Sequence, residues 1–171
     1  MATAREIYRA DATMEEIEDL LTKRLNATIG TLNSDGSIHL AYVIFLYEEG
    51  RFYFETSSVT RKARNVGARP TASLIVQGSV SSGRHIMAEN EGTARLLGGD
   101  EAREVNRRLR AKYITDDALD RVDNAWNEFD DVAIEITPGP RWRSWCGEIF
   151  NAETIVAMGG TMQGVWRPDD D

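Results

Sequence analysis

Residues 54–65 read Phe-Glu-Thr-Ser-Ser-Val-Thr-Arg-Lys-Ala-Arg-Asn, a run that concentrates the residue types able to hold an anion. Thr56, Ser57, Ser58 and Thr60 bring their hydroxyls together, and Arg61 and Lys62 follow at once. A helix opening at this point leaves its first amide N–H groups unpaired and turns the positive end of its dipole outward, which stabilises an anion. The hydroxyls add neutral donors, Arg61 can grip two phosphate oxygens together, and Lys62 supplies a point charge. The chemistry indicated is phosphate binding. The plainer reading of the same residues is a Ser/Thr-capped surface helix with solvated Arg and Lys.

The elements that must position this run are legible from periodicity. Thr13-Met-Glu-Glu is a capping-box pattern, and Ile17, Leu20, Leu21 and Leu25 continue it as an amphipathic helix over 14–25. The period then shortens to that of strands. One strand covers 27–32, Ser34-Asp35-Gly36 makes a tight turn, and a second strand covers 38–47. A third runs over 51–56, a helix over 60–68 closed by Pro70, and a fourth strand over 71–77. A fifth covers 84–97, bent or bulged near Gly92. Two helices follow, at 100–112 and 115–129, the second with a core stripe of Leu119, Val122, Trp126 and Phe129. A last strand pair is expected at 131–136 and 141–145, broken by Pro138-Gly139-Pro140. Hairpin-connected strands with few helices describe a mainly β (α+β) fold: a six-stranded antiparallel barrel with peripheral helices, occupying 1–150 as one domain. Residues 151–171 form a tail.

Bulk properties narrow the function classes. The 171-residue chain carries a formal net charge of −8, which argues against nucleic acid as a partner. No apolar run approaches the length of a membrane span, and the N-terminus lacks a signal-peptide pattern. One cysteine, Cys146, permits no internal disulfide and fits a cytoplasmic location. With His39 and His85 as the only histidines, no metal site is expected.

The order of strand, Asp35-Gly36 turn, two strands, hydroxyl cluster, Arg61-Lys62, helix, Pro70 and Ala72-Ser-Leu-Ile-Val resembles the pyridoxamine 5′-phosphate oxidase-like superfamily. These are flavin- and deazaflavin-dependent oxidoreductases with a split β-barrel. The resemblance implies a cofactor-dependent enzyme acting on a small conjugated substrate. It also implies a homodimer with cofactor sites at the subunit interface, and FMN or coenzyme F-420 as the cofactor. The Arg-Lys-Ala-Arg-Asn run resembles the deazaflavin-using branch somewhat more. By the same resemblance Thr56 and Ser57 contact the phosphate, Arg61 and Lys62 are its paired basic ligands, and Arg64 takes further phosphate or an acidic tail. His39 and Tyr42 lie on the strand that lines the ring, with water, a backbone-oriented site or Tyr42 as proton donor. Trp142, flanked by Arg141 and Arg143, reaches the partner's cofactor or packs in the dimer interface. The superfamily's Arg-x-His substrate signature has no counterpart, because no histidine follows His85. Pyridoxamine phosphate oxidation is therefore not the expected activity. Some superfamily members bind haem or tetrapyrroles, which leaves a binding protein without hydride transfer as the alternative.

Overall fold

The computed structural model describes residues 12–126 and 131–146. Helix α1 (Met14–Thr22) starts at the capping box: the Glu16 amide donates to Thr13 Oγ1 at 3.1 Å, and the Thr13 amide donates to Glu16 Oε2 at 3.0 Å. It buries Ile17, Leu20 and Leu21 and stops before residue 25, because Lys23 already adopts extended backbone.

The described residues form eight strands, against seven strand segments expected along the chain and six assigned to the barrel: β1 (Asn26–Leu32), β2 (Ile38–Ile44), β3 (Leu46–Glu48), β4 (Arg51–Ser57), β5 (Thr71–Ser79), β6 (His85–Leu97), β7 (Asp131–Pro138) and β8 (Arg143–Cys146). They form one antiparallel sheet in the order β2-β1-β5-β6-β7-β4-β3, with β8 also paired to β6. The sheet curls until β2 contacts β4, giving a split barrel. One added strand arises at Phe45, where the expected 38–47 strand divides. β2 pairs with β1, while β3 turns away to pair with β4. β8 corresponds to the strand expected at 141–145, but it pairs with β6 and not with β7 as a terminal hairpin would.

Gly92 does not interrupt the β5 side of β6, where pairing runs unbroken from His85 to Thr93. Its role lies on the opposite edge, where β6 passes from β8 to β7. A Cβ there would sit 2.3 Å from the Thr137 carbonyl oxygen, so only glycine allows the approach.

Phe52 centres the barrel core, with ring centroids 5.6 Å from Phe45, 4.8 Å from Tyr47, 6.2 Å from Phe54 and 6.1 Å from Trp142. Helix α2 (Arg61–Ala68) follows β4. Helices α3 (Gly99–Tyr113) and α4 (Asp116–Trp126) connect β6 to β7. A second apolar cluster seats α3 on the sheet through Leu97, Ala102, Val105, Leu109, Tyr53 and Ala133. The expected core stripe of α4 is corrected: Trp126 is 52% exposed, and the residue that α4 buries is Asp123. Phe129 and the 150/151 boundary lie outside the described residues. No helix among the described residues is long and apolar enough to cross a membrane, and none of them group as three candidate metal ligands.

The break at Phe45 is held by the end of α3. Tyr113 Oη lies 2.9 Å from the Phe45 carbonyl oxygen and 2.6 Å from that of Leu25. Lys112 Nζ donates to the carbonyls of Leu21 and Phe45 at 3.3 and 3.4 Å and sits 4.4 Å from the Phe45 ring centre. Burial nevertheless lowers the Lys112 pKa from its ordinary 10.5 to about 8. Between those values the unfolded chain binds the extra proton, so Lys112 makes stability rise with pH, and that contribution is lost as pH falls through about 8. Tyr47 and Tyr113, whose pKa values burial raises, oppose this only near and above pH 10. Urea unfolding at pH 8 and at pH 9.5 is expected to show a gain in the wild type that is reduced in Lys112→Met. An equal gain in both would remove Lys112 as its source.

Candidate functional site

The hydroxyl run sits where β4 hands over to α2. Thr60 caps the helix: the Ala63 amide donates to its Oγ1 at 3.3 Å, and its own hydroxyl donates to the Ser57 carbonyl at 2.9 Å. That donation uses the only proton of the Thr60 hydroxyl. In the 2.8 Å contact between Thr56 Oγ1 and Thr60 Oγ1, Thr56 is therefore the donor. Two hydroxyls are thus spent on shaping the loop. Ser57 differs: its Oγ accepts from the Val59 amide at 3.5 Å, and its own proton has no acceptor among the described residues. The Arg61 and Lys62 amides open α2 without carbonyl partners among the described residues, as helix geometry requires.

These groups form one end of a cavity of about 750 Å³ lined by Thr56, Ser57, Thr60 and Lys62, with Glu55 and Arg110 beside them. Its opposite wall is apolar: Val43 and Ile44 of β2, Ile114 just past α3, and Val122 and Trp126 of α4. Lys62 is half-buried, and burial lowers its pKa. Among the described residues no carboxylate pairs with it. Arg110 is held differently. Its Nε donates to both Glu55 oxygens at 3.0 and 3.1 Å, and a terminal nitrogen donates to Asp123 at 2.9 Å. Asp123 also pairs with Arg107, which reaches Asp120 at 2.8 Å.

The sequence-derived residues therefore divide. Thr56, Ser57 and Lys62 line the cavity. Arg61 and Arg64 are exposed on α2 outside its lining, and Arg61 lies near Asp35, whose carboxyl is held low chiefly by Ser37 and also by Arg61. On β2, His39 shares a face with Ala41 and Val43, which pack on the core, whereas Tyr42 stands exposed on the other face with Ile38 and Leu40. Trp142 packs on the ring of Phe52. Within one chain His39, Tyr42 and Trp142 do not line this cavity.

Glu55, Arg110 and Ile114 are cavity residues that sequence reasoning did not single out, and Val122 and Trp126 line the cavity where a core stripe was expected. One signal was readable: Arg107 and Arg110 repeat at the spacing of Asp120 and Asp123, so two helical faces carry matching charges.

The family model described as pyridoxamine 5′-phosphate oxidase matches residues 13–146. No curated protein matches the chain. Among solved structures, a conserved hypothetical protein of Mycobacterium tuberculosis is 26% identical with a TM-score of 0.68, over 84% of this chain and 91% of that one. A FAD and haem binding protein of Mycobacterium smegmatis is 19% identical with a TM-score of 0.66, over 88% and 80%. An F-420 reductase is 20% identical with a TM-score of 0.53, over 73% and 94%. The last two likenesses speak to the fold.

Proposed function

The chain belongs to the pyridoxamine 5′-phosphate oxidase family, and from that premise we propose that it is an oxidoreductase using FMN or coenzyme F-420. The observation that carries this reading is Lys62: a half-buried cation without a carboxylate partner among the described residues, at the hydroxyl end of a cavity whose far wall is apolar. An unpaired, partly desolvated charge is costly unless an anion completes it. The donor set fits a phosphate: the Ser57 hydroxyl, the Arg61 and Lys62 amides and the Lys62 ammonium. Val43, Ile44, Ile114, Val122 and Trp126 offer the apolar surface that a conjugated ring requires.

Such a cofactor supplies hydride transfer itself when bound. The residues of this chain bind its anionic end, exclude water along the apolar wall and orient the ring for a planar, conjugated substrate. Between FMN and F-420, the Arg-Lys-Ala-Arg-Asn run inclines the reading toward F-420. Ile38, Leu40 and Tyr42 form an exposed apolar strip on β2, which supports a homodimer in which a second copy covers this face. The dimer would also give Tyr42, which stands on that face, a route to a partner's cofactor, whereas His39 lies on the opposite face and Trp142 packs on Phe52. A haem-binding role is less well supported, because an axial imidazole would have to come from His39 or His85 and neither lines the cavity.

The test is a calorimetric and absorbance titration of the purified chain with FMN, F-420 and haem. Micromolar or tighter binding of F-420 or FMN is expected. Haem binding with neither flavin nor deazaflavin bound would replace this reading.

A further inference from the structure

Helix α4 has an unusual economy of contacts. It is seated by charge: Asp123, nearly fully buried, pairs with Arg107 and Arg110, and Asp120 pairs with Arg107. Its apolar residues are not spent on a core. Val122 lines the cavity, and Trp126 lines it while leaving 52% of its surface exposed. An indole left this open forfeits much of the stabilisation that burial would bring. The ring is nonetheless fixed from one side, because the Arg110 guanidinium lies 5.5 Å from its centre and is itself held by Glu55 and Asp123.

We propose that Trp126 is the ring-recognising residue of this cavity, stacking on a planar conjugated ligand whose anionic end reaches Lys62 and Ser57. The occupant follows from the two ends of one cavity. The apolar and aromatic wall takes a flat ring, and the hydroxyl and ammonium end takes an anion. The salt-bridged seat of α4 presets the indole, so the ring is met by a rigid face and not by a side chain that must first be ordered. Trp126 thereby favours extended conjugated ring systems over small or aliphatic phosphates. This rests on the reading of the Lys62 end as an anion site.

The test uses the full chain and the variants Trp126→Ala, Trp126→Phe and Lys62→Ala, each titrated with FMN and F-420 by calorimetry and by tryptophan emission. Loss of stacking in Trp126→Ala is expected to weaken the bound ligand about tenfold. Trp126→Phe should keep affinity to within about threefold, since a smaller aromatic face remains. It should also lose most of the ligand-induced quenching seen in the wild type. Wild-type affinity in Trp126→Ala, or full quenching in Trp126→Phe, would overturn the assignment to Trp126 while a weakened Lys62→Ala kept the anion site. Unchanged binding in Lys62→Ala, or no binding of either ligand by the wild type, would overturn the anion site and this inference together.

Discussion

Arg110→Ala is expected to lower the unfolding free energy by about 3–5 kcal/mol, the cost of stranding buried charge. The side chains of Arg110, Glu55 and Asp123 retain only 2%, 7% and 5% of their exposure. Removing the guanidinium takes the buried positive charge from two carboxylates that are themselves out of water, while Asp123 keeps its pair with the exposed Arg107. It also removes the link between β4 and α4, because Glu55 and Asp123 meet through Arg110 alone among the described ion pairs. Arg107→Ala is the contrast. Its side chain is 51% exposed, so its pairs are solvent-screened and the loss should be much the smaller of the two. Urea unfolding of both variants measures the difference. Adding Glu55→Gln and Asp123→Asn to Arg110→Met should recover much of the loss, because the desolvated charges are then gone. Equal effects of Arg107→Ala and Arg110→Ala would show that burial does not govern this cluster.

Lys62→Ala is expected to weaken FMN or F-420 binding by about 10- to 100-fold, which corresponds to the roughly 1.5–3 kcal/mol of a charge-assisted hydrogen bond. Folding stability should hold or rise slightly, because burial opposes the charge that the ammonium carries in the free protein. That combination separates a ligand-binding lysine from a structural one. Arg61→Ala is expected to cost less, because its side chain is exposed and outside the cavity lining. Calorimetric titration of the two variants, with urea unfolding alongside, makes the comparison. A larger loss for Arg61→Ala would move the anion toward the outer face of α2.

Much of the site's near half was legible in the chain because its parts are neighbours in sequence. A Thr at the cap position, the hydroxyls before it and the basic pair after it are set by local helix-start chemistry, and the structure keeps Thr60 as the cap. What escaped was which hydroxyl stays available. Thr56 and Ser57 look equivalent on paper, yet Thr56 donates to Thr60 and Ser57 does not. The hydrophobic stripe of α4 misled for a related reason. Periodicity reports that a helix has an apolar face but not whether a core or a cavity lies opposite, and here the buried contact is made by Asp123.

By itself the sequence determined what depends on residues a few positions apart: the capping box of α1, the Asp35-Gly36 turn between β1 and β2, and the Thr-capped start of α2. It also carried the order of hairpins that makes a split barrel and the family to which the chain belongs. Only the tertiary structure decided the division of one strand into β2 and β3 at Phe45, the partner of β8, and the cavity's far wall. Each of these rests on groups brought together from distant parts of the chain. Tyr113 meets the backbone of Phe45, and Arg110 meets Glu55 and Asp123. Such pairings follow from how the sheet curls and where α3 and α4 come to lie on it, and spacing along a chain does not encode that directly.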